Sequence, residues 1–181
     1  GDDPAPACDA LAMLGVALSH AGQHEEAKAA YERVLREYAP QESDLRRTIH
    51  NNLACASAAL GQDEDALSNV FRAILDLERR ERSCGEDEAL RTDLFQQGQQ
   101  PYRLMQQLLL RQGKAHLALA LSDRSKARTL NHRLSHRAGA ATHTWGDAVE
   151  AEAWEEVLTA EWERVSGCVR AEAATVVEVT L

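Results

Sequence analysis

Only 4% of the 181 residues are aromatic, and prolines number four. With alanine and leucine abundant, that shortage favours helix over strand. Four cysteines, Cys8, Cys55, Cys84 and Cys168, make no CxxC pair and no zinc-like cluster. Their even number leaves two disulfides arithmetically open, but nothing else suggests secretion. Cys55 falls on the apolar pattern of a helix, where a small buried thiol is the ordinary reading. No stretch approaches the ~20 apolar residues that cross a bilayer, and no basic-then-apolar leader opens the chain. The expectation is a cytoplasmic protein with reduced thiols and no membrane partner.

Phosphate-cradling loops are also missing, since the glycines stand dispersed at turns and none belongs to a GxGxxG or GK[ST] sequence. Seven histidines yield no metal-ligating set. His132 and His136 are four apart, but no acidic or thiol third ligand follows, and Arg133 and Arg137 crowd the pair. His24-Glu25-Glu26-Ala27-Lys28 fails the HExxH pattern at its fifth residue. No cofactor, metal or catalytic residue is expected.

Acidic residues outnumber basic ones 29 to 20, for a net charge of −9. By segment the balance is −6 over 1–83, +4 over 84–146 and −7 over 147–181. The basic stretch Arg124, Lys126, Arg128, Arg133 and Arg137 has no aromatic interleaving of the kind nucleic acid requires. Pairing with the acidic segment 147–163 is the expected use, and no nucleic-acid partner is expected.

What is present is a repeat. Leu14 and Leu53, Gly22 and Gly61, and Ala27 and Ala66 are each separated by 39 residues. A fixed period of that size marks stacked units. Leu11, Leu14 and Leu18 share a helix face, Gly22 suits a left-handed helix end, and Glu25 and Glu26 suit the positive start of the next helix. Ala27, Tyr31 and Val34 then form a second stripe. Two antiparallel helices per unit are implied, over 8–40 and 42–83. A looser third copy occupies 86–134, with Gly113 as its turn glycine and Tyr102, Met105, Leu109 and Ala118 on the successive positions. The 52 residues from Gly61 to Gly113 give this copy a 13-residue insertion. The insertion is expected as a helical segment around 87–97, with a break or kink at Gln97–Pro101.

The array core is expected within 8–134, a linker over 135–146, and an amphipathic helix from Asp147. Trp145, Trp154 and Trp162 read as docking residues for a further surface rather than a ligand cage. Residues 175–181 are β-branched and alternate as a lone strand, which pairs with the same strand of another molecule if it is ordered.

The pattern of a large apolar residue, Leu14-Gly15, Leu18, Gly22, Ala27, Tyr31 and Pro40 resembles the tetratricopeptide repeat. The second copy departs from it at His50, Ala54, Ser57 and Val70. The resemblance implies an all-α, right-handed superhelical array whose first helices line a concave peptide-binding groove. The matching positions are Asp9, Ala12, Val16 and His20, then Thr48, Asn51, Cys55 and Ala58, then Arg103, Gln107 and Arg111. Asn52 also matches the subclass that grips chaperone C-termini, but Ala12 and Val16, then Gln99 or Gln100 and Leu104, stand where that subclass has carboxylate-binding residues. The candidate groove is therefore Asn51, Asn52, Cys55, Arg103, Gln107 and Arg111, suited to an acidic or C-terminal carboxylate peptide.

A second resemblance covers the end of the chain. Leu119 to Leu130 with its Ser-Lys-Ala-Arg core, the Trp-Glu-Glu-Val-Leu helix at 154–158 and the strand at 174–181 look like the junction between such an array and a CHAT domain. This caspase- and separase-like module carries its catalytic His and Cys on later strands. The function implied is a protein-interaction scaffold preceding a CHAT-type domain and not itself an enzyme. The alternative is the regulatory arm of a caspase- or separase-like cysteine peptidase.

Overall fold

Each of the three turn glycines takes a positive φ, 78° at Gly22 and 73° at both Gly61 and Gly113. That conformation is nearly free for glycine and strained for residues with a Cβ. Around each, the backbone bonds repeat atom for atom. The amide of Gln23 donates to Leu18, that of Gln62 to Ser57 and that of Lys114 to Leu109, while each glycine amide donates to the carbonyl three residues before it. These paired bonds satisfy the last carbonyls of one helix and start the next two residues later.

The computed structural model describes residues 5–38, 43–83, 88–134, 153–163 and 166. They form helices α1 (Ala5–His20), α2 (His24–Tyr38), α3 (Ser43–Ala59), α4 (Asp63–Ser83), α5 (Glu88–Arg111) and α6 (Ala115–Leu134), then α7 (154–163). Glu25 and Glu26 lie in the first turn of α2 and Asp63, Glu64 and Asp65 in that of α4, with Arg80 and Arg82 in α4's last turn. These placements oppose the helix dipole favourably at each end. The expected linker at 135–146, the strand at 175–181 with its pairing, Pro40, Cys84, Cys168, Trp145 and His136 lie outside the described residues, as do the side chains of Ala127, Arg128, Leu130, His132, Arg133 and Leu134.

The insertion in the third copy is helical, but it runs without a break into the helix that ends at Arg111. α5 is one helix with Pro101 inside it. Proline removes the bond that its nitrogen would donate to Gln97, a loss of ~3 kcal/mol in an exposed helix. Here Pro101 is buried, as are Leu94 and Tyr102 of the same helix at 1% exposure each, and that burial offsets the missing bond.

Consecutive helices from α1 to α6 pack as neighbours, and α1 also touches α3 as α3 touches α5. A smaller core gathers Cys8, Ala27, Tyr31, Val34, Ile49 and Leu53. A larger one runs from Ala66 and Phe71 through Tyr102 and Leu109 to Leu117 and Leu121, and it also takes in Trp154 and Leu158. The buried core thus continues past residue 134, because α7 lays an apolar stripe on the array. The α1 stripe differs from expectation too. Leu11 and Leu18 are half-buried, but Leu14 is 50% exposed.

Gly15, unlike the exposed turn glycines, is buried. A Cβ there would sit 2.6 Å from Cε1 of Tyr31, well inside van der Waals contact. The tyrosine ring fills the space that the glycine leaves. One period on, the pair is Ala54 and Val70, both fully buried. A larger residue on one helix is balanced by a smaller one on the other. Gly15→Ala is therefore expected to cost about 1–3 kcal/mol through overpacking. In a Tyr31→Val background the same change should cost little, which urea unfolding of the four proteins in a double-mutant cycle checks.

Between α3 and α4 the polar contacts gather on the buried carboxylate of Asp76. Asp76 accepts two bonds from Arg46 at 2.9 Å each and a third from Arg79 at 3.3 Å. Nearby, His50 is 7% exposed, its Nδ1 3.1 Å from Asn69 Oδ1. Desolvation pushes its pKa below the ordinary 6.5 despite that bond, and Arg72 and Arg46 act in the same direction while Asp76 opposes them. Between the lowered folded value and the unfolded one, the unfolded chain binds more protons, so stability rises with pH in that window. His50's contribution is complete above about pH 6.5 and falls away as pH drops below it. Denaturant titrations from pH 8 to pH 5, both values approximate, should show a shallower decline for His50→Gln than for the wild type. Equal slopes would remove His50 as the cause.

Candidate functional site

Residues 100, 103, 107 and 111 recur at three- and four-residue spacing, so Gln100, Arg103, Gln107 and Arg111 fall along one side of α5. Gln100 meets α3. It accepts from Asn51 Nδ2 at 3.1 Å, and its own Nε2 lies 3.8 Å from Cys55 Sγ. The α3 and α5 candidates are thereby brought to adjoining helix faces through Gln100, a residue outside the expected set.

Availability differs along this face. Asn51 is 8% exposed, and its Oδ1 is buried with no hydrogen-bond partner among the described residues. Asn52 and Cys55 are half-buried, and desolvation pushes the Cys55 thiol up, away from reactive thiolate. Cys8 and Cys55 are both free thiols. Arg103 and Gln107 are exposed and make no ion pair or side-chain hydrogen bond among the described residues. Arg111 is also exposed, but its guanidinium is paired with Asp63 at the start of α4. It clamps neighbouring hairpin turns, as Lys28 does with Asp65 at 2.8 Å. The first-copy positions Asp9, Val16 and His20 are exposed, with Ala12 half-buried. The face is therefore nearly uncharged at α1 and cationic at α5.

The strongest electrostatic feature lies elsewhere and was not expected. Arg124, placed by its sequence in the basic stretch, donates to both oxygens of Glu78 at 2.9 and 2.6 Å, with both side chains 6% exposed. Tyr102 donates to the same carboxylate at 2.6 Å. Burial alone would lower the Arg124 pKa, but its bonds to Glu78, with Tyr102 and Glu161 nearby, hold it above the ordinary arginine value. A signal existed: Glu78 continues the α4 stripe through Val70 and Ile74 at four-residue spacing. The basic stretch and the acidic segment interact through Arg124 and Glu161. A close ion pair to α7, however, comes from Lys114, 3.0 Å from Glu155 and 4.7 Å above the Trp154 ring. Trp162 stands edge-on to His116, with ring centroids 6.0 Å apart.

Among the described residues no three of His, Cys, Asp or Glu converge as a metal site, and no helix is long and apolar enough to cross a membrane. No family model, curated protein or solved structure matches the chain. Glu78→Gln removes the carboxylate that holds the buried Arg124 guanidinium by two bonds and is expected to cost about 3–5 kcal/mol. Glu78→Leu combined with Arg124→Met should cost less than either single change, measured by chemical denaturation.

Proposed function

We propose that the chain is a protein-interaction module of the tetratricopeptide type, an array that receives an acidic or carboxylate-ended peptide on the face shared by α3 and α5. The observation that carries this reading is the exposed pair Arg103 and Gln107, one turn apart on α5 and without a side-chain partner among the described residues. A cation and an amide one helical turn apart supply charge-assisted and neutral hydrogen bonds to an extended chain. Arg111 contributes less because Asp63 already holds it. The array has the right-handed sense of that family, works in the cytoplasm and performs no catalysis itself. It precedes a CHAT-type domain, on the resemblance at 119–130, 154–158 and 174–181.

The reading of a regulatory arm for a caspase- or separase-like peptidase draws support from α7. Trp154 and Leu158 fasten α7 onto the array core.

The test uses a fluorescein-labelled hexaglutamate peptide, with a free or an amidated C-terminus, titrated against the full chain by anisotropy. Saturable binding is expected, weakened about threefold to tenfold by Arg103→Ala at low salt and less at high salt. Affinity unchanged by Arg103→Ala combined with Gln107→Ala would sink the groove assignment. A preference for the free C-terminus would identify the carboxylate as the recognised group.

A further inference from the structure

Arg103 and Gln107 share their strip of α5 with a third exposed side chain, Leu110. The three follow at four- and three-residue spacing, which at about 100° per residue keeps them within about 60° of one another around the helix. Arg103 and Gln107 are exposed, and Leu110 is 58% exposed. A single leucine at a surface is ordinary. This one ends a strip that also holds a cation and an amide, both without a side-chain partner among the described residues.

The internal repeat shows that the fold does not demand this strip. On α3 the places of Arg103, Gln107 and Leu110 are taken by Asn51, Cys55 and Ala58, and on α1 by Ala12, Val16 and Ser19. All three helices end in the same glycine turn, so the backbone is alike and only the side chains differ. A cation, an amide and a large exposed apolar group coincide at these positions on α5 alone.

The spacing then selects a ligand. From Arg103 to Leu110 the helix rises by about 10 Å. A polyproline II strand turns once in three residues and rises about 9 Å in doing so, which brings residues i and i+3 to one face at nearly that separation. A β-strand returns to the same face at about 7 and about 13 Å, and matches less well. A polyproline II strand also makes no hydrogen bonds within itself, and Gln107, lying between the other two, offers its backbone both a donor and an acceptor. We infer that this strip takes a peptide in polyproline II conformation whose carboxylate side chain, held by Arg103, stands three residues from a large apolar side chain, packed on Leu110. The inference rests on the acidic-peptide reading of the α3–α5 face and adds a second determinant to it.

The test titrates the full chain against fluorescein-labelled Pro-Pro-Glu-Pro-Pro-Leu-Pro-Pro and its reversed order, both amidated, beside the hexaglutamate peptide. One of the two orders is expected to bind about tenfold more tightly than its own version with serine in place of leucine. Leu110→Ser in the chain should abolish that gain and leave hexaglutamate binding unchanged, whereas Arg103→Ala should weaken both. Moving the leucine one residue closer to the glutamate should also remove the gain, because it turns the side chain to another face of the polyproline II strand. Leu110 is more than half exposed, so Leu110→Ser should keep the parent circular dichroism and urea midpoint. The inference is overturned by equal binding of the leucine and serine peptides in both orders, by a gain that survives Leu110→Ser, or by a gain indifferent to spacing. Hexaglutamate binding that is weakened by Arg103→Ala would in each of those cases leave the acidic-peptide reading standing, and its absence would remove both.

Discussion

The final carbonyls of α1, α3 and α5 have no helical donors ahead of them, and the chain must reverse direction while supplying some. A left-handed residue does both at once. Because Gly22, Gly61 and Gly113 satisfy their helix ends with the same bonds, the three hairpins reverse in the same way. Each hairpin then presents an apolar stripe that it cannot cover alone, and stacking on the next hairpin covers it. Size matching refines the fit, as between Gly15 and Tyr31 or Ala54 and Val70.

Features set by neighbours in sequence were legible. The turn glycines, the acidic starts of α2 and α4 and the small-residue stripes all depend on offsets of four or fewer residues. Gly113 marked the third helix turn, and the segment around 87–97 was rightly read as helical. Pro101 suggested a break that α5 does not make, because the local cost of proline is real while the burial that offsets it is a tertiary effect. Leu14 misled in the opposite sense, since its stripe is genuine but no described helix covers it.

The candidate face was half legible. Its α5 stripe follows from spacing alone, and Arg103 and Gln107 lie on it in the open. That Gln100 bridges Asn51 and Cys55, or that Asp63 holds Arg111, depends on residues 45 to 49 positions apart. Glu78 and Arg124 belong to the same class, 46 residues apart. Seen singly, each was a surface charge. Desolvated together, neither tolerates a substitute for its partner, which gives the fourth and sixth helices a defined mutual position beyond what leucine packing requires.

The docking of α7 bears on how the chain folds. Most packing joins consecutive helices, the topology that gives low contact order and fast, zipper-like propagation from any hairpin. Trp154 breaks that pattern by returning to Lys114, 40 positions earlier, across the 135–152 segment. Bringing the ends of that segment together carries an entropic cost that the short turns at Gly22, Gly61 and Gly113 largely avoid. Because Trp154 and Trp162 both sit on α7 and pack against the array, tryptophan fluorescence reads the docking of this one helix, whereas circular dichroism reads all of them.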